Sequence, residues 1–316
     1  MRIFVAGATG AVGSRLVPRL LERGHAVIAM TRTPQKFEAL HASGATPVLA
    51  DALDQPEVRA AVLAAQPEVV VSELTSLSSL GSNLRRFDSD FAVTNRLRIE
   101  GTDHLLEAAR AAQARLFVTQ SYAGWTYARV GGAVKREDDP LDSDPPASAR
   151  QTLRALQTME SRVLGGDGPA GVVLRYGAFY GPGTSLGRNP PGAHLTAVAR
   201  GRFPIVGDGG GVWSFIHVED AAEATALAVE RAASGIYNVV DDEPAFVADW
   251  LPVLASSIGA KPPRRVPAWL TRLLAGDLAV VMMTATRGAS NRKAKDAFDW
   301  RLRYPTWREG FAQGLG

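Results

Sequence analysis

The chain contains no cysteine, which excludes disulfides, thiolate metal sites and a cysteine nucleophile. Histidine is scarce: His25, His41, His104, His194 and His217 are the only five. No two of them have metal-ligand spacing on a helix, and no His-Glu-x-x-His occurs, so no metal is implied. No stretch approaches the roughly 18–20 continuous apolar residues of a membrane helix. The first residues, Met-Arg-Ile-Phe-Val-Ala-Gly, run into glycine too soon for a signal peptide. A cytoplasmic protein that does not engage the membrane is expected. Charge of one sign is also missing: 35 Lys+Arg against 32 Asp+Glu leave +3 over 316 residues, too weak a balance to suggest a nucleic-acid partner.

What the chain does have is a hydrophobic fraction of 46%, enough for a sizeable core, arranged in a regular rhythm. Short apolar runs at 2–6, 26–31, 46–49, 68–72, 115–120, 171–176 and 235–240 read as strands. Between the first six lie helical patterns at about 12–24, 34–43, 55–65, 92–112 and 148–164, and another follows at 219–232. Residues 75–90 and 123–147 read as irregular, and Pro18 is expected to kink or weaken the first helix. Alternating strands and helices predict an α/β protein with a doubly wound parallel sheet of Rossmann type. After 178 the rhythm breaks. The expected division is a dinucleotide-binding core, 1–178 with 214–240, and a smaller substrate-binding lobe, 179–213 with 241–316.

Gly7-Ala8-Thr9-Gly10-Ala11-Val12-Gly13 lies between the first strand and the first helix. Glycines there permit a tight turn, and the helix start offers unpaired N–H donors to a diphosphate. The second strand ends in Thr31-Arg32-Thr33, with Lys36 beyond. An acidic residue at this place would bind the ribose 2′-hydroxyl of NAD; a basic one suits the 2′-phosphate of NADP. NADP is therefore favoured over NAD. Asp51 and Ala52 follow the third strand, on the adenine side, and Leu74 and Thr75 follow the fourth.

These residues resemble the extended short-chain dehydrogenase/reductases, the group of NAD(P)-dependent epimerases, dehydratases and reductases. Further segments carry the resemblance along almost the whole chain: Arg98-Ile-Glu-Gly101-Thr102, Leu174-Arg-Tyr176-Gly177-Ala-Phe179-Tyr-Gly-Pro-Gly183, Trp213-Ser-Phe-Ile-His217-Val-Glu-Asp220, and Tyr304-Pro-Thr-Trp307. The family often has Asn where Arg98 stands and Pro where Tyr176 stands. The resemblance implies a Rossmann-like fold, a nicotinamide cofactor and a small-molecule substrate, in a monomer or homodimer. It also implies cofactor contacts from Gln120, Tyr176, Gly177 and Phe179.

The family's usual catalytic pair, Tyr-x-x-x-Lys on the helix after the fifth strand, is absent. Counting back from Glu160, those two places hold Thr152 and Leu156. In such atypical members proton delivery must come from elsewhere. Ser121 and Tyr122, at the end of the fifth strand, are the candidate catalytic residues, since the family carries a Ser or Thr there. Lys135 reads as an exposed loop lysine. Gly183-Thr-Ser185-Leu-Gly187 matches a hydrolase nucleophile elbow, but a Gly-Pro-Gly turn precedes it and prolines follow, which is the wrong context. The expected function is an NADP-dependent oxidoreductase acting on a small organic substrate. A sugar-nucleotide epimerase or dehydratase with retained cofactor, and a non-catalytic NADP-binding regulator, are the alternatives.

Overall fold

A computed structural model describes residues 1–77 and 84–316. Seven strands form one sheet: β1 (Arg2–Ala6), β2 (Ala26–Thr31), β3 (Thr46–Leu49), β4 (Val69–Ser72), β5 (Leu116–Tyr122), β6 (Ala170–Tyr176) and β7 (Gly235–Val239). Their spatial order is β7-β6-β5-β4-β1-β2-β3 and every pairing is parallel. This is the Rossmann arrangement. Strand order reverses between β1 and β4, which opens a crevice at their carboxyl ends.

Alternation along β1 shows why the sheet is covered twice. Ile3 and Val5 belong to one core, and Phe4 and Ala6 to the other. Successive side chains of a strand point to opposite faces. The first face is covered by α1 (Gly13–Glu22), through Leu16, Val17 and Leu20, and by the alanine-rich α5 (Val218–Arg231). The second is covered by α2 (Gln55–Ala65), α3 (Thr102–Ala111) and the end of α4 (Arg150–Leu164). A ladder of ion pairs, Arg15 and Arg19 to Glu219 and Arg23 to Glu223, runs along the α1–α5 contact.

Three local expectations are corrected. Pro18 does not interrupt α1. Its ring is exposed, and so is Ser14, whose carbonyl loses its helical donor on the side open to water. Helical turns occupy 84–90, within the segment expected to be irregular, because Phe87 finds a buried site against Phe91 and Trp125. Lys135 is 3% exposed rather than solvated; its ammonium donates to the Val130 carbonyl and pairs with Asp139.

A third core forms beyond the sheet from Tyr180, Phe215, Trp250, Leu251, Trp307 and Phe311, among others. The motifs around His217 and Tyr304 meet to anchor it. Asp220 accepts from the amides of Arg303 and Tyr304 at 2.6 and 3.0 Å. The His217 ring lies 4.2 Å from that of Tyr304, accepts from the Glu219 amide at the start of α5, and reaches the Gly314 carbonyl. No helix among the described residues is long and apolar enough to cross a membrane.

Candidate active site

The glycine turn is built as a cradle. Gly7 has φ +88°, and a Cβ there would lie 2.5 Å from the Glu73 carbonyl oxygen. At Gly13 a Cβ would lie 2.2 Å from the Gly7 carbonyl oxygen. Both positions demand glycine: the first lets the turn pass the end of β4, and the second lets α1 close onto the turn. The Gly10 amide closes it by donating a hydrogen bond to the Gly7 carbonyl. Among the described residues no acceptor meets the amides of Ala11 and Val12. They sit where α1 begins, beside half-buried Thr9, and point the positive end of the helix at the crevice. These features fit a dinucleotide diphosphate.

Beyond β2, Thr31 is buried and its hydroxyl accepts from the Thr33 amide at 3.1 Å, which shapes the turn that presents Arg32. Arg32 is exposed and has no hydrogen bond or ion pair among the described residues. Lys36 reaches back to within 3.5 Å of the Thr9 carbonyl. Lys36 thus meets the glycine turn and Arg32 follows the strand paired to β1, and among the described residues no carboxylate pairs with either, a setting that suits a phosphate. Asp51 turns its carboxylate onto the Leu53 amide, and Ala52 is buried and receives His104 on its carbonyl. Leu74 is half-buried, with its Cδ1 3.7 Å from where a Cβ on Gly101 would stand, and Thr75 is exposed.

Between Ser72 and Leu74 stands a residue that sequence reading passed over. Glu73 is 5% exposed, and its carboxyl accepts from the Tyr176 hydroxyl at 2.9 Å while the other oxygen has no partner. Burial pushes its pKa up to about 8, against the lowering effect of that bond, so at neutral pH it is largely a neutral acid. A charge is thereby removed from beneath the place a diphosphate would occupy. The Tyr176 hydroxyl also meets Thr225 at 2.6 Å. Tyr176 is accordingly locked in the sheet core, with Phe179 half-buried against it at 5.2 Å between ring centroids. Gly177 passes so close to the Ser214 carbonyl that a Cβ would approach it to 2.7 Å, and Gln120 is half-buried one strand away.

At the end of β5 the two candidate catalytic residues have different environments. The Ser121 hydroxyl donates to Glu160 Oε1 at 2.6 Å. Arg175 holds the same carboxylate through Nε and Nη2 at 2.9 and 2.6 Å, and also meets the Tyr127 hydroxyl, which donates to Asn238. Burial opposes the charge on Arg175, but its bonds to Glu160 and Tyr127 outweigh that and raise its pKa. Ser121 is thus part of a buried structural network. The Tyr122 hydroxyl has no hydrogen bond among the described residues. Burial lifts its pKa to about 12. It lines a small cavity with Trp125, Trp213, Met282 and Thr286. It can donate a hydrogen bond, but a phenol so reluctant to ionise is no base at neutral pH.

On α4, Thr152 is 1% exposed and Leu156 2% exposed. Asp88 accepts from the Thr152 amide and hydroxyl at 2.8 and 2.7 Å, and Asn95 donates to the same hydroxyl at 3.0 Å. Neither residue replaces the proton chemistry of a Tyr/Lys pair. Ser185 does pair with His194 at 3.0 Å, but both are exposed and no acid orients the ring among the described residues, so no hydrolytic triad forms.

The fold and crevice define a nicotinamide-dinucleotide enzyme of the extended short-chain dehydrogenase/reductase class. The sequence matches the model of the NAD dependent epimerase/dehydratase family over residues 3–240, and the chain belongs to that family. It is 46% identical over 314 residues to a Streptomyces protein named 3-diazoavenalumate denitrifying reductase, covering 99% of this chain and 100% of that one. Among solved structures, the UDP-glucose 4-epimerase of Thermotoga maritima with UDP-glucose superposes with a TM-score of 0.76 at 22% identity, covering 100% of this chain and 97% of that one. A human epimerase family protein with NADPH gives 0.75 at 23% identity, covering 100% and 99%.

Proposed function

We propose that this protein is an NADP-dependent reductase that replaces the diazo group of a small organic substrate with hydrogen. The observation that carries the reading is Thr152 and Leu156, both buried, in the places of the proton-handling pair. The similarity to a denitrifying reductase supports it.

The chemistry accounts for the missing pair. Reduction of a ketone needs a proton for the new alkoxide, and an epimerase must first take a proton from an alcohol. Exchange on a diazonium carbon needs neither: the carbon–nitrogen bond breaks, its electron pair leaves with dinitrogen, and a carbon–hydrogen bond forms. A nicotinamide dinucleotide, when bound, supplies the hydride for that bond.

The chain's own residues bind and orient. The turn Gly7–Gly13, with the amides of Ala11 and Val12, would hold the diphosphate. Arg32, Lys36 and Thr9 would take the 2′-phosphate, with Thr31 fixing the turn. Asp51, Ala52, Leu74 and Thr75 would flank the adenosine half, and Gln120, Gly177 and Phe179 the nicotinamide half, backed by Tyr176. Tyr122 would donate a hydrogen bond to a substrate heteroatom beside the aromatic walls of Trp125 and Trp213, and Ser121 would hold the end of β5 in register. Those aromatic walls suit a flat, unsaturated substrate.

The test is to supply NADPH with aryl diazonium salts and, separately, with ketones. The reading expects NADPH consumption matched by dinitrogen release on the diazonium salts and little turnover of the ketones. Ketone reduction without dinitrogen release would overturn it.

A further inference from the structure

The long helix that crosses the crevice contains one π-helical turn, Leu97–Gly101, between Ala92–Arg96 and α3. Such turns are frequent at functional sites. Arg98 lies on it. The guanidinium has one hydrogen bond, from Nη1 to Asn95 Oδ1 at 3.2 Å, and its Cζ stands 5.7 Å from the centre of the Phe91 ring. No carboxylate pairs with it among the described residues. The six residues 78–83 are Ser, Ser, Leu, Gly, Ser and Asn and bring no acid either. A guanidinium has five donors, and most of those on Arg98 are unused. The side chain is half-buried, and burial pulls its pKa down to about 10. A charge enclosed at that cost without a counter-ion is rare unless an anion arrives.

Its neighbours indicate where the anion lies. Asn95, the one hydrogen-bond partner, also donates to Thr152 at the vacated tyrosine place. Phe91 stacks on Phe87 at 4.2 Å, Phe87 meets Trp125 at 5.5 Å, and Trp125 lies 6.5 Å from Tyr122. Arg98 therefore ends an aromatic row whose other end is the unbonded Tyr122 hydroxyl. The glycine turn and α1 face the diphosphate separately.

We propose that Arg98 binds a carboxylate of the substrate, so that the site takes planar unsaturated acids. A planar guanidinium fork matches the two oxygens of a carboxylate, and the aromatic row would lie along the carbon skeleton. This deepens the reductase reading, but its test needs no turnover.

The test is calorimetric titration of the NADP-loaded protein with 4-hydroxycinnamate and with its methyl ester. The wild type is expected to bind the acid about 10- to 100-fold more tightly than the ester, the range for a charge-assisted bond. Arg98→Gln should abolish that preference while keeping NADPH affinity, and Arg98→Lys should retain part of it. Equal binding of acid and ester by the wild type overturns the proposal without any variant. Loss of NADPH affinity in Arg98→Gln would also overturn it, by assigning Arg98 to the cofactor. Failure of diazonium turnover with the acid preference intact would remove the reaction and leave the carboxylate site standing.

Discussion

Ser121 and Glu160 are joined by a 2.6 Å hydrogen bond across 39 residues of sequence, and Arg175 grips the other side of the same carboxylate. The bond commits the serine hydroxyl to holding β5, β6 and α4 together, and leaves Tyr122, the next residue, as the free hydroxyl at the strand end.

From this follows a contrast between two variants. Glu160→Ala strands the Arg175 guanidinium in the core and should cost roughly 3–5 kcal/mol, the range for breaking a buried pair. Ser121→Ala removes one bond to a charged group and should cost about 1–3 kcal/mol. Chemical denaturation of the two variants checks the order. A Ser121→Ala enzyme that keeps its stability but loses turnover would move Ser121 into the chemistry.

Arg32 follows the strand paired to β1, exposed and without a hydrogen bond or ion pair among the described residues. Arg32→Ala should weaken NADPH binding about 10- to 100-fold, the worth of a charge-assisted contact, and leave NADH nearly unchanged. Fluorescence titration with both cofactors reads this directly. Equal losses would remove the phosphate role.

Glu73 makes stability depend on pH. Its folded pKa of about 8 lies above the ordinary carboxylate value of 4.5, so between those values the folded state holds a proton that the unfolded state has released. Its contribution is complete below pH 4.5 and is lost as pH rises through about 8. Glu73→Gln, which mimics the neutral acid, should therefore be more stable than the wild type at pH 8. The two should converge toward pH 4.5. Thermal unfolding across that range gives the comparison, and parallel curves would show that Glu73 ionises normally.

Tyr122→Phe removes a hydroxyl that has no hydrogen bond among the described residues and lines the cavity, as does the unbonded hydroxyl of Thr286. Substrate binding or turnover should fall about tenfold, consistent with one lost hydrogen bond, rather than the 100-fold or more that loss of an obligatory acid brings. Steady-state kinetics on a diazonium substrate checks it.

The sheet was legible because its evidence is local. The apolar runs and the Gly7–Gly13 turn fall where their strands and helix need them, and counting along α4 sufficed to find Thr152 and Leu156 in place of the usual pair. The long-range commitments were not legible. Nothing near Ser121 names Glu160 as its partner, and Glu73 and Lys135 are residue types that usually face water. Glu73 is buried because a distant residue, Tyr176, bonds it, and Lys135 because its loop folds back so that Val130 and Asp139, five and four residues away, take its ammonium. Arg98 could be found as a departure from the family's asparagine, but its lack of a counter-ion is a property of the fold.

The most direct measurement follows a deuterium label. With NADPH deuterated at the transferring position and an aryl diazonium acid as substrate, the account predicts one deuterium on the carbon that carried nitrogen and one equivalent of dinitrogen released. Product with hydrogen from solvent at that carbon, or nitrogen retained, would contradict it.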